Sequence, residues 1–252
     1  MIPGHVVGIE ARKLTRSAVT RVATATTLVL VVATSAGGYA AATMARDTQV
    51  GAKAAGLMTT VGWSGLTGLA AMGTGVAVLL AAGIVASWLV GREFTDGTVV
   101  GLFALPVGPG AIALAKLLVI TAWSAALAVA SGALTALAGI CLGLPVTGAV
   151  GCAGAITLVG VLLGAGALPM AWFATLGRGY LAGIAAALGI VIVTNLAIGL
   201  GIGDLIPWAT PVLWATSGGN TPPLALLLPL AAGLAGTILT TRSWGRLELG
   251  NR

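Results

Sequence analysis

Charged side chains are scarce in this sequence: 12 Lys and Arg and 6 Asp and Glu among 252 residues, or 7%. Soluble domains carry about 25%. Hydrophobic residues reach 58%, and the mean hydropathy is +1.08. No soluble fold hides that much apolar surface, so an integral membrane protein is expected. Histidine is nearly absent: His5 stands alone near the start of the chain, which argues against a histidine-based metal or proton site. Cysteine is limited to Cys141 and Cys152, without metal-ligand spacing. A disulfide between them would need an oxidising space, and two small buried apolar side chains are the simpler expectation. There is no phosphate-binding loop of the form GxxxxGK(S/T), so ATP hydrolysis by that route is not expected of this chain. Gly199-Leu200-Gly201-Ile202-Gly203 ends an apolar stretch instead of following a strand, which removes a dinucleotide reading. No catalytic or metal site is expected.

What is present is long apolar runs. They are continuous and do not alternate, so the spans are read as helices and not as barrel strands. The expected fold is an all-α membrane protein forming a single transmembrane domain over residues 1–252. An interfacial helix at about 5–19 comes first, with Val6, Val7, Leu14 and Val19 on one face. Six spans follow, at about 22–44, 60–90, 111–140, 152–175, 180–200 and 224–241. The first is longer than the roughly 7–15 residues of a signal core, so it reads as a retained helix. Residues 45–56, with Arg46, Asp47 and Lys53, read as a short polar loop. The run 57–90 exceeds the roughly 20 residues a bilayer needs; it tilts, extends beyond the membrane, or starts irregularly at Gly62–Gly65. Residues 201–223, with four prolines, Trp208 and Trp214, read as interfacial or partly re-entrant.

The net charge is +6, but the basic residues are spread along loop positions as orientation signals are, so nucleic acid is not an expected partner. One side collects Arg12, Lys13, Arg16, Arg21, Arg92, Lys116, Arg178, Arg242, Arg246 and Arg252, and the other holds Arg46 and Lys53. The positive-inside rule then places both termini in the cytoplasm of a bacterial cell. The span centres are nearly free of ionisable groups, unlike those of ion-coupled carriers, and Asp204 sits at a span edge. Ser131, Thr135, Thr194 and Asn195 are the notable polar groups within spans. Interhelical hydrogen bonds are the plain reading of them and a substrate path the sharper one. Glycines recur four apart at Gly139/Gly143, Gly160/Gly164, Gly179/Gly183 and Gly199/Gly203, spacings that let helices approach closely.

The stretch Gly91–Lys116 interrupts the apolar pattern with Arg92, Glu93, Asp96 and Lys116. A charge cluster between two membrane-length runs belongs in water or among headgroups. It reads as a loop carrying a short surface helix over Val99–Leu105, capped by Thr95, Asp96 or Thr98 and ended by Pro106. Lys116 is expected to snorkel from the start of the third span.

This stretch resembles the permease subunit of type-2 ABC exporters, a six-span family with the type V exporter fold. In that family the loop after the second span runs acidic, bulky, two variable positions, Gly-Thr, then an apolar segment ending in Leu-Pro and a lysine entering the third span. Here those positions are Glu93, Phe94, Gly97, Thr98, Leu105-Pro106 and Lys116. The chain departs from the family after Leu-Pro, where Val107-Gly108-Pro109-Gly110 stands in place of a polar or basic residue. The resemblance implies two permease subunits around a central path, a homodimer or a heterodimer. It also implies a separate ATP-binding subunit that holds ATP and Mg and docks through Arg92, Glu93, Phe94, Asp96, Gly97, Thr98 and Lys116. The charged members are pictured as an exposed rim. The cargo would be a hydrophobic or peptide-like compound, antibiotics among the candidates. An ion-coupled secondary carrier and a non-transporting immunity or assembly protein are the alternatives.

Overall fold

Ser17 divides the first apolar region in two. The computed structural model describes residues 4–58, 60–102, 104 and 106–247, and its first helix, α1, covers Gly4–Arg16. The Ser17 hydroxyl then accepts from the Thr20 N–H at 3.3 Å and caps α2, Ala18–Val32. The interfacial helix is therefore shorter than 5–19, and Val19 belongs to the first span. Only Val6, Glu10 and Leu14 of α1 are buried.

The first span continues through a π-helical segment, Ala33–Gly37, into α3, Gly38–Met44. The expected polar loop that follows is a helix instead: α4, Gln49–Leu57, capped by the Thr48 hydroxyl and packed back on α3. Small residues make its contact, since Gly51 and Ala54 are its buried positions. The second span, α5, runs Trp63–Thr95 after an irregular stretch in which Gly62 takes φ 97°. Its 33 residues make about 50 Å of helix against a hydrocarbon core of about 30 Å. The run starts irregularly at Gly62, and its helix is longer than a hydrocarbon core needs. A four-residue helix, α6, Val99–Leu102, follows the positive-φ turn at Gly97 (φ 69°). The rest of the expected helix to Leu105 is not continued as α-helix in the described residues, and Leu105 itself lies outside them. Pro109 opens α7, Pro109–Cys141, at a position where its missing N–H costs nothing.

The fourth span is broken in two, α8 (Ala149–Gly166) and α9 (Pro169–Leu176). The break frees the Gly166 carbonyl, which accepts from Trp208 Nε1 at 2.7 Å. The fifth span is α10, Tyr180–Gly199. Within 201–223 lies α11, Thr210–Thr216, whose Thr210, Pro211 and Val212 are buried against α5 and α8. The last span holds α12, Leu227–Gly245. Among the described residues, six helical stretches are long and apolar enough to cross a membrane: Ala18–Met44, Trp63–Thr95, Pro109–Cys141, Val146–Leu176, Tyr180–Gly199 and Pro223–Gly245. Cys141 and Cys152 are free thiols; Cys152 is buried as expected, but Cys141 is exposed.

Small residues also set the contacts between spans. On α5, Gly83, Ser87 and Gly91 face Ala187, Gly183 and Gly179–Tyr180 of α10, an antiparallel ladder in steps of four. A second ladder joins Ser124, Ala128 and Gly132 of α7 to Gly164, Gly160 and the Ala153–Thr157 turn of α8. Of the expected glycine pairs, Gly160/Gly164 and Gly179/Gly183 lie on such faces; a β-carbon at Gly143 or Gly199 would meet nothing across a helix. Because lipid is as apolar as the side chains, this close backbone approach supplies packing that hydrophobicity does not.

A β-carbon at Gly183 would strike Ser87 and the Met170 carbonyl, whereas one at Gly189 would meet open space. Gly183→Val is therefore expected to lower the melting temperature in detergent, at a cost of about 1–3 kcal/mol for overpacking. Gly189→Val, with the same change in helix propensity, is expected to leave it nearly unchanged. Equal melting of the two variants would remove the ladder from the account.

Candidate functional site

Four charged side chains from three elements meet where α1, the end of α5 and the start of α7 come together. Lys116 Nζ donates to Glu10 Oε2 and to Glu93 Oε1, both at 2.7 Å. Lys13 Nζ donates to Glu10 Oε1 at 2.8 Å and to the same Glu93 oxygen at 3.2 Å. The result is a closed ring of alternating charge, Lys116–Glu10–Lys13–Glu93, with no net charge. Thr98 Oγ1 donates to the remaining Glu93 oxygen. Lys116 is 0% exposed, Glu10 2% and Glu93 4%.

This corrects the picture of an exposed charged rim. Glu93 does not face water, and Lys116 does not snorkel. Lys116 lies about 10 Å along α7 from its first residue by helical rise, and the two carboxylates come to it. Thr98, one of the expected caps of α6, donates its hydroxyl to Glu93. Of the charged members only Arg92 and Asp96 remain at the surface: they pair with each other at 3.5 Å, and the Arg92 guanidinium lies 4.7 Å over the Trp88 ring. Phe94 packs edge-on against Trp244 at 5.7 Å and 81°. Trp244 Nε1 in turn donates to Thr175 Oγ1 at 3.0 Å. The last span and the α9 end are thereby fixed to the same corner, so α1 and the end of α12 lie at one end of the bundle.

Glu10 and Lys13 are members of the ring that the sequence reading did not single out as site residues, although a signal for them exists. Glu10 falls at the i+4 position between Val6 and Leu14, in the middle of the apolar face of α1. A carboxylate on a buried face requires a cation, and Lys13 one turn away and Lys116 in an otherwise apolar run are the nearest candidates.

Burying four charges is costly, and their attraction offsets that cost only while every partner is in place. Lys13, outside the spans, shows the balance. Its burial disfavours the charged form, but the hydrogen bond and proximity to Glu10, with Glu93 beyond, outweigh this and raise its pKa above the ordinary 10.5. Its contribution to stability is therefore present at and below pH 10.5 and is lost only as pH rises through the raised folded value. Beside the ring a cleft of about 130 Å³ opens between α1 and the segment after α6, lined by Ile9, Leu102, Pro106 and Val107 together with Glu10 and Lys13.

The polar groups expected within spans separate into two kinds. Ser131 and Thr135 are fully buried and donate back to the carbonyls of Leu127 and Ser131 on their own helix, at 2.9 Å each. Thr194 and Asn195 line hollows at the end of the bundle opposite the ring, with Asn195 Nδ2 also donating to the Val191 carbonyl of its own helix at 2.8 Å.

The model of the family described as ABC-2 family transporter protein matches residues 6–194. The chain belongs to that family. The match begins inside α1 and runs into α10, so it contains all four members of the charge ring, α6 and the Arg92–Asp96 pair. Membership makes this chain a transporter membrane component. Among curated proteins, none matches the chain significantly.

Removing Lys116 leaves two buried carboxylates facing one half-buried lysine. Lys116→Ala is expected to destabilise the ABC-2 protein by about 3–5 kcal/mol, read as a large fall in melting temperature in detergent. Arg92→Ala, which breaks only a surface pair, is expected to cost about 0–1 kcal/mol. Similar melting of the two variants would mean that the ring is not closed in the folded protein.

Proposed function

We propose that this chain is the membrane-spanning permease subunit of an ABC exporter and that a separate ATP-binding subunit docks at the corner built on the charge ring. The observation that carries this reading is the division of labour within Arg92–Leu102. Its inward members, the buried Glu93 and the half-buried Phe94, anchor the segment to α1, α7 and α12. Its outward members, the half-buried Arg92 and the exposed Asp96, Gly97 and outer face of α6, are left on the surface to meet a partner. Glu93 and Lys116 then transmit the movement of the docked subunit instead of touching it. Exposed charges at a rim set register and partner choice, and that role falls to Arg92 and Asp96.

ATP and Mg would be held by the partner, which supplies the energy. A second permease subunit, identical or homologous, would complete the path across the cell membrane. The docking corner faces the cytoplasm, as the ten-to-two distribution of basic residues favours, and both termini lie there. A cargo that is hydrophobic or peptide-like, an antibiotic for example, suits spans whose centres are nearly free of ionisable groups.

Asp96→Arg places a second cation beside Arg92. It is expected to lower recovery of the ATP-binding subunit on the tagged permease about five- to tenfold without lowering the melting temperature of the permease itself. Unchanged recovery would exclude this surface as the docking site. In intact cells a cysteine placed at Asp96 is expected to resist a membrane-impermeant thiol reagent until the membrane is permeabilised. Labelling from outside would invert the orientation.

A further inference from the structure

The end of the bundle opposite the ring holds a large apolar hollow with one cation in its lining. A space of about 550 Å³ lies between the first span, α4 and the first half of α5, walled by Leu30, Leu57, Leu69, Met72 and Val76. That size falls within the roughly 300–1,000 Å³ of small-ligand sites. Leu30, Val50 and Leu57 are exposed around it. Lys53 of α4 is part of its lining, and no carboxylate lies within salt-bridge distance of Lys53 among the described residues. An adjoining hollow of about 280 Å³ shares Leu57, Met72, Val76 and Asn195 with the first. Thr194 lines this second space. It is 6% exposed, and its Oγ1 finds no hydrogen-bond partner among the described residues. A buried hydroxyl without a partner is a cost that a ligand acceptor would remove.

From these features we infer that the hollow under α4 holds one anionic phospholipid of the surrounding bilayer, with its phosphate at the Lys53 ammonium and an acyl chain along the Leu69–Val76 side of α5. Charge complementarity selects this occupant. The walls are hydrocarbon in character, and the single cation of the lining sits on the short helix that follows the first span. The Thr194 hydroxyl is the donor for an ester oxygen in the adjoining space. The role of α4 is then to roof a lipid site. That is why a segment with the composition of a polar loop is folded back as a helix, its Gly51 packed against the Ala41 and Ala45 carbonyls.

Native mass spectrometry of the delipidated full chain tests this, by titration with phosphatidylglycerol and phosphatidylethanolamine of identical acyl chains. One equivalent of phosphatidylglycerol is expected to be retained about fivefold more strongly, the effect of one basic side chain on an anionic headgroup. Lys53→Ala is expected to abolish the preference, while Arg46→Ala, whose side chain is engaged on the Ala42 carbonyl at 2.8 Å, preserves it. Met72→Trp, which fills the hollow, is expected to lower retention of both lipids with Lys53 intact. Equal retention of the two lipids by the unaltered chain overturns the inference, as does a Lys53→Ala variant that keeps the preference. A Lys53→Ala effect on dimer mass without any lipid preference would assign the hollow to a second copy and overturn it too. None of these readouts involves the ATP-binding subunit, so they stand or fall separately from the docking proposal.

Discussion

Lys116 is fully buried, positively charged, and unable to leave the protein without dismantling it. That constraint organises one end of the molecule. An ammonium inside an apolar bundle is tolerated only with carboxylates at hydrogen-bonding distance, and the chain supplies one from α1 and one from the end of α5. The interfacial helix is therefore more than a float on the membrane surface. It is bonded through Glu10 to the same lysine that holds Glu93, and Lys13 closes the ring. The segment that follows Glu93 inherits a fixed position from this arrangement. Thr98 is hydrogen-bonded to the ring, Phe94 is pinned by Trp244, and α6 begins one residue after Thr98.

The spans that carry this corner are held by a different kind of contact. Four-residue steps of Gly, Ala and Ser bring α5 against α10 and α7 against α8. Such ladders allow close approach without large interlocking side chains, and helices packed in this way can shift relative to one another with little repacking. A rigid polar corner joined to smooth helix contacts suits a subunit that receives movement at one end and passes it along its spans. The other end is built from tryptophan and tyrosine hydrogen bonds, Tyr39 accepting from the Gly62 N–H at 2.9 Å and Trp63 donating to the Pro145 carbonyl at 2.8 Å, and from the α4 roof.

Much of this is legible in the sequence, and the failures have physical causes. The number and order of spans follow from apolar length alone, and the boundaries at 180–200 and 111–140 need only one or two residues of adjustment. The rarity of its charges marks out the segment around Glu93 and Lys116. What composition cannot tell is whether a rare charge faces water or another charge. Glu93 and Asp96 are three residues apart and alike in chemistry, yet one points into the ring and the other to solvent, because only the face of α5 shared with Glu93 meets α1 and α7. Glu10 is readable from its place between Val6 and Leu14, but a single charge among the others of α1 does not stand out by composition. Helix α4 escapes a sequence reading because its alanines and glycines, Lys53 and Gln49 resemble a loop until Ala54 and Gly51 are seen against α3. Thr194 and Asn195 part from Ser131 and Thr135 for reasons of direction and not residue type: the latter two are fully buried, while the former two line hollows, Asn195 even though its amide also bonds the Val191 carbonyl of its own helix.

The central claim is that the ring fastens α1 to the bundle, and a distance distribution reads this most directly. With Cys141 and Cys152 replaced, spin labels at exposed Thr15 on α1 and exposed Leu176 on α9 are expected to give one narrow distribution by double electron–electron resonance. Lys116→Met should broaden it as α1 comes free. A distribution already broad in the unaltered chain, or one that stays narrow without Lys116, would contradict the account.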